Sequence, residues 1–174
     1  MELTVADTAA RLRRDLDDHG EPVLRVELGF PAAGIADELA RCIQEHLADP
    51  GVRVEVSWKI RAHAVHGTLS PMPEIRNIIA VASGKGGGGK STTAVNLALG
   101  LSAEGASTGI LDADIYGPSI PMMLGLEGQQ PVSTDGKSFE PLEAFGLQAM
   151  SVGFLVSREQ TLIWRGPMVT QALQ

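Results

Sequence analysis

Residues 84–91 read Gly84-Lys85-Gly86-Gly87-Gly88-Gly89-Lys90-Ser91, and four successive glycines belong in a turn, not in the interior of a helix or strand. Before the turn lies Ile78-Ile79-Ala80-Val81-Ala82, a continuous apolar run of the kind that forms a parallel strand covered on both faces. After it, residues 90–104 place Ala94, Val95, Leu97, Ala98 and Leu101 on one helical face, and Gly105 stands where a helix would stop. A second buried strand is expected near residues 108–111, ending at Asp112-Ala113-Asp114. Strand, glycine turn, helix and strand make a βαβ unit with a right-handed crossover. The fold class this predicts is α/β.

The same eight residues fit G-x-x-x-x-G-K-[ST], the spacing of a phosphate-binding loop. Glycines let the backbone wrap the phosphates so that successive N–H groups point inward, and the following helix N-terminus adds the positive end of its dipole. Gly84, Gly86, Gly87, Gly88 and Gly89 are the expected cradle, continued by Ser91 and Thr92. Lys90 is expected to reach the β- and γ-phosphates and the Ser91 hydroxyl to take one Mg²⁺ position. The ligand is therefore read as a nucleoside triphosphate with Mg²⁺. A flexible glycine linker would account for the composition, but not for the strand and helix signals on either side.

Upstream, residues 4–18 read as a helix, with Thr4 and Asp7 at capping spacing and Val5, Ala9, Leu12 and Leu16 along one stripe. Leu24-Arg25-Val26-Glu27-Leu28 alternates as a half-buried strand does. A helix follows over residues 35–47, with Ile35, Leu39, Cys42, Ile43 and Leu47 inward, and Val52, Val54, Val56, Trp58 and Ile60 then alternate with charged and polar residues as a strand. Residues 1–68 thus form a small α/β module, 69–76 a linker, and 77–174 the region built around the glycine turn. Beyond Pro131 a hairpin is expected to turn at Asp135-Gly136, with a strand over residues 147–152 and a helix running towards Gln174.

Composition excludes some functions. A net charge of −7 argues against non-specific binding to nucleic acid, which requires clustered Lys and Arg. The longest run without a charged residue, Ala144 to Ser157, is too short to span a bilayer and contains two glycines, so no membrane partner is expected. The single cysteine, Cys42, cannot form an internal disulfide, and a cytoplasmic location is expected. Cys42 is expected in the core of its helix face. His63 and His66 have a ligand spacing but no third ligand nearby.

Lys85, at the second position of the loop, is not required by a plain phosphate loop. With it the sequence resembles the deviant Walker A family, K-G-G-x-G-K-[ST], which includes partitioning ATPases, the nitrogenase iron protein and the Mrp/ApbC iron–sulfur carriers. The stretch Ile110-Leu111-Asp112-Ala113-Asp114-Ile115-Tyr116-Gly117-Pro118-Ser119-Ile120-Pro121, with Met150-Ser151-Val152-Gly153-Phe154 and Trp164-Arg165-Gly166-Pro167-Met168, is similar to the Mrp/ApbC branch in particular. The resemblance implies a P-loop NTPase parallel-sheet domain and an ATP-hydrolysing iron–sulfur cluster carrier acting as a homodimer. It implies that Lys85 reaches the partner's nucleotide, that Asp114 positions the attacking water and that Asp112 lies near Mg²⁺. Its implied partners are apo iron–sulfur proteins and scaffold proteins. The module over residues 1–68 resembles the small iron–sulfur-assembly domain often fused to such proteins, mainly over residues 23–60.

Two departures accompany the resemblance. The variable loop position, often valine in the family, is Gly88, which adds about 0.5–1 kcal/mol to the cost of ordering the loop and predicts weaker nucleotide affinity than a valine variant. The family's switch II strand and its C-terminal Cys-x-x-Cys have no counterpart in these 174 residues. The iron–sulfur cluster therefore lacks its ligand cysteines here, and the chain is expected to be a truncated form with part of its sheet uncovered. Two other readings stand beside the carrier: a MinD/ParA-like partitioning switch, and a nucleotide-binding fragment that does not hydrolyse.

Overall fold

A computed structural model describes residues 10–62, 72–115, 117–134 and 138–155. The chain divides into two compact units, residues 1–80 with 103–106 and residues 81–102 with 107–174.

The first unit is a three-stranded sheet in the order β1-β2-β3, formed by β1 (Arg11–Leu16), β2 (Pro22–Leu28) and β3 (Arg53–Trp58). β1 and β2 are antiparallel, whereas β2 and β3 are parallel, joined by helix α1 (Ala36–His46). Val26, Leu28 and Ala32 form the buried centre, with Leu24, Leu39, Ile43, Val54, Val56 and Trp58 packed around it. The alternation of β2 and β3 was legible because each strand has one face turned to α1. Gln44 ties α1 to the start of β3: its Nε2 donates to Val52 O at 2.8 Å and its Oε1 accepts from Val54 N–H at 3.2 Å.

Two expectations for this unit are corrected. The expected helix over residues 4–18 is, in its described part, strand β1, registered from Arg11 opposite Glu27 to Leu16 opposite Pro22. Leu12 and Leu16 fit a helical stripe by spacing, but pairing with β2 supplies a full backbone ladder, and all six β1 side chains are exposed. The turn from β1 to β2 is built on Asp17, whose Oδ1 accepts from His19 N–H and Glu21 N–H, both at 2.9 Å. Cys42, expected in the core, is exposed. Leu39 and Ile43 fill the inward positions of α1, and at 100° per residue Cys42 falls outside that narrow stripe.

A third correction concerns residues 78–82. No strand forms there, and Ile78 and Ile79 are 65% and 60% exposed. A strand needs a neighbouring ladder, and among the described residues none pairs with this run.

The second unit contains helix α2 (Lys90–Ala103), strand β4 (Thr108–Asp112), the short helix α3 (Ile120–Met123) and strands β5 (Leu142–Ala144) and β6 (Leu147–Ser151). Its sheet order is β4-β6-β5, with β4 parallel to β6 and β5 antiparallel to it. The sheet is mixed: the β4–β6 pair is parallel, as expected of an α/β domain, and β5 adds an antiparallel edge. Val95 and Ala98 of α2 pack with Ile120, Leu124, Leu126, Leu147, Ala149 and Phe154. Leu97, expected inward, is exposed, as is Leu111 at 63%. β4 is thus buried on one face only, so its apolar run does not mark two covered faces.

Gly105 takes φ +87° just beyond α2, the left-handed conformation that ends helices. β5 and β6 turn through Phe145 (φ 53°) and Gly146 (φ 75°), the two positive φ values of a type I′ hairpin. The expected turn residues Asp135 and Gly136 and the expected terminal helix lie outside the described residues, as do His63 and His66. Glu140 N–H donates to Val132 O at 2.9 Å and Thr134 Oγ1 to Glu140 Oε1 at 3.2 Å.

Candidate functional site

The glycine turn opens α2 as the spacing predicts. Gly87 and Gly89 have φ +75° and +76°, values that L side chains adopt only under strain. Gly89 O accepts from Thr93 N–H at 2.8 Å, so the helix begins at Lys90 and its first N–H groups lack intrahelical acceptors. A Cβ built on Gly84, Gly86, Gly87 or Gly89 would meet no atom within 4 Å. The space beside the loop is open, as an anion approaching those N–H groups requires.

Gly88 differs. A Cβ there would lie 2.9 Å from Ser83 Oγ and 3.3 Å from Lys85 O. Ser83 closes the base of the loop, its Oγ donating to Lys85 O at 3.0 Å and accepting from Lys85 N–H at 3.3 Å. A single serine before a glycine run carries no distinguishing sequence pattern, so the role of Ser83 emerges only from the structure. The Lys85 side chain is exposed, and among the described residues no ion pair involves it.

Lys90 and Asp114, 24 positions apart in the chain, meet at 2.9 Å between Nζ and Oδ2. That hydrogen bond raises the Lys90 pKa above the ordinary lysine value; partial burial opposes the rise, and the charges of Asp114 and Asp112 add to it. Asp112 is 5% exposed at the end of β4. Its Oδ1 accepts from Asp114 N–H at 3.1 Å, and its Oδ2 accepts from Ile120 N–H at 3.2 Å and Ser151 Oγ at 3.3 Å. Ser151 Oγ in turn accepts from Gly153 N–H at 3.0 Å. Asp112 therefore joins the end of β4 to α3 and to the end of β6, and it fixes the backbone at Asp114. Ser151 was visible in the sequence only as part of Met150-Ser151-Val152-Gly153-Phe154; its inward position on β6 gives it this role.

The expected residues thus assemble in part. Lys90, Asp114 and Asp112 converge beside the glycine turn, Ser91 is half-buried on the first turn of α2, and Thr92 and Lys85 face solvent. Open glycines, a helix that starts at a glycine and a lysine suit a nucleotide's phosphates. Carboxylate and hydroxyl oxygens suit Mg²⁺, a hard cation. For an iron–sulfur cluster the donor set is poor: Cys42 is the only cysteine, and among the described residues no three His, Cys, Asp or Glu side chains are grouped to hold a metal. No helix among the described residues is long and apolar enough to cross a membrane.

A family model described as ParA, the NUBPL iron-transfer P-loop NTPase, matches residues 74–174. Over 162 residues the chain is 48% identical to an iron-sulfur cluster carrier protein of Escherichia coli (strain K12), the match covering 88% of this chain and 43% of that protein. It is 61% identical over 160 residues to an iron-sulfur cluster carrier protein of Salmonella typhimurium, covering 88% and 43%. It is 47% identical over 123 residues to the iron-sulfur cluster transfer protein NUBPL of Dictyostelium discoideum, covering 67% and 38%. A solved nucleotide-binding protein of Archaeoglobus fulgidus, in complex with ADP, is 45% identical with a TM-score of 0.41, covering 43% of this chain and 31% of that one. The chain spans less than half the length of these curated relatives.

Proposed function

Because the chain belongs to the NUBPL iron-transfer P-loop NTPase family, we propose that it supplies the ATP site of an iron–sulfur cluster carrier. The observation that carries this reading is the glycine turn opening α2, with Lys90 paired to Asp114 beside it. In this reading Gly84, Gly86, Gly87, Gly88 and Gly89 and the N–H groups of Lys90, Ser91 and Thr92 cradle the phosphates. Lys90 balances charge on the β- and γ-phosphates, and Lys85 reaches the nucleotide of a second copy in a homodimer. Asp114 orients a water molecule for attack on the γ-phosphorus; the bond to the β-phosphate bridging oxygen breaks, leaving ADP and inorganic phosphate. Ser91 and Asp112 are the side chains to hold Mg²⁺, which when bound offsets charge on the β- and γ-phosphates. Catalysis is then chiefly positioning and electrostatics.

The cluster is cargo, passed in the cytoplasm from scaffold proteins to apo iron–sulfur proteins, and its thiolate ligands are not supplied by these residues. Phosphate release from Mg·ATP tests the enzyme reading. Wild type should turn over, and Lys90→Ala and Asp114→Ala should each lose at least about tenfold. Lys85→Ala should remove any dependence of specific activity on protein concentration. Turnover unchanged in Asp114→Ala would remove Asp114 from the mechanism. A second reading, binding without turnover, draws on the exposed Ile78 and Ile79 that lead towards the loop. It predicts saturable nucleotide binding and no phosphate release.

A further inference from the structure

Resting on the nucleotide reading, we propose that Asp114 is an internal anion that holds Lys90 before nucleotide arrives, so that phosphate binding frees Asp114 for its work on water. The lysine on which phosphate charge must settle already has a carboxylate 2.9 Å from its Nζ. The ammonium has two further N–H donors, so the competition is one of charge and not of donor number. A phosphate oxygen on the same nitrogen would lie within about two hydrogen-bond lengths of the Asp114 carboxylate, where like charges repel strongly.

Asp114 N–H is bound by Asp112 Oδ1 at 3.1 Å, and Asp112 is itself held by Ile120 N–H and Ser151 Oγ. The backbone of Asp114 is therefore fixed while its side chain can rotate. Phosphate gains Lys90 when that side chain swings off, and the same rotation releases a carboxylate beside the loop. Asp114 consequently has opposite effects on two steps: it weakens nucleotide binding and promotes hydrolysis.

The test is ADP affinity in EDTA, so that any role of Asp114 towards a metal ion is removed. It compares wild type, Asp114→Asn, Asp114→Ala and Lys90→Ala, with a thermal melt of each. Both Asp114 variants should bind ADP about two- to fivefold more tightly than wild type, while their phosphate release from Mg·ATP falls. Unchanged or weaker ADP binding in folded Asp114 variants, with Lys90→Ala still defective, overturns the internal anion and leaves the nucleotide site standing. ADP binding that does not depend on Lys90 overturns both. Should the Asp114 variants melt early, the ¹³C resonance of the Asp114 carboxyl in wild type decides. It should move on saturation with ADP, and no movement overturns the proposal.

Discussion

Single residues show where chemistry and backbone geometry conflict. Phe145 is 73% exposed and sits at φ 53°, a conformation costing a side chain about 1–2 kcal/mol. It buries little, so Phe145→Asn should stabilise the second unit by roughly 0.5–1 kcal/mol by making the preferred Asn-Gly type I′ turn, read as a higher denaturation midpoint. Gly88 is constrained in another way. The gain in loop rigidity expected of a larger residue is opposed by Ser83 Oγ, 2.9 Å from the position of a Cβ. Gly88→Ala should therefore improve nucleotide affinity more in a Ser83→Ala background than in wild type, by about 0.5–1 kcal/mol. Asp17 has a pKa lowered from 3.8, chiefly by the Glu21 and His19 backbone N–H groups, with Arg53 assisting. Its contribution to stability is present above pH 3.8 and is lost as pH falls through its lower folded value. Asp17→Asn should flatten that acid limb of a melting profile. For Lys90 the sign reverses: a pKa raised above 10.5 gives a contribution present below pH 10.5 and lost as pH rises through the folded value.

At the scale of elements, periodicity was a good guide wherever an element had one buried face and a partner to bury it against. α1, β2, β3, α2 and β6 fall close to their expected bounds for that reason. β1 was misread because its partner, not its own pattern, determines its state: Leu12 and Leu16 are compatible with either period, and the ladder with β2 decides. The apolar residues 78–82 were misread in the opposite sense, since an apolar run carries no information about whether a neighbouring strand is present. The candidate site was legible where it is a motif, at Lys90 and Asp114, and not where it depends on packing, at Ser83 and Ser151. Leu147, the first residue of β6, is 1% exposed in the second core with Val95 and Ala98 of α2. Leu147→Ala should cost about 2–5 kcal/mol. Urea unfolding of that variant should show a lower midpoint, and a change below about 1 kcal/mol would mean that the core is not organised around β6.

In the molecule as a whole, the parts of the nucleotide site lie within one compact unit, whereas cluster carriage needs more thiolates than the one exposed cysteine of these 174 residues provides. Anaerobic reconstitution with iron and sulfide should accordingly leave no stable visible absorption on these 174 residues. The site itself is the central claim, and titration with a fluorescent ATP analogue and Mg²⁺, beside Lys90→Ala, tests it most directly. Saturable binding is expected in wild type, with at least about tenfold weaker binding in the variant. Equal binding by the two proteins, or none by a wild type that melts cooperatively, would contradict it.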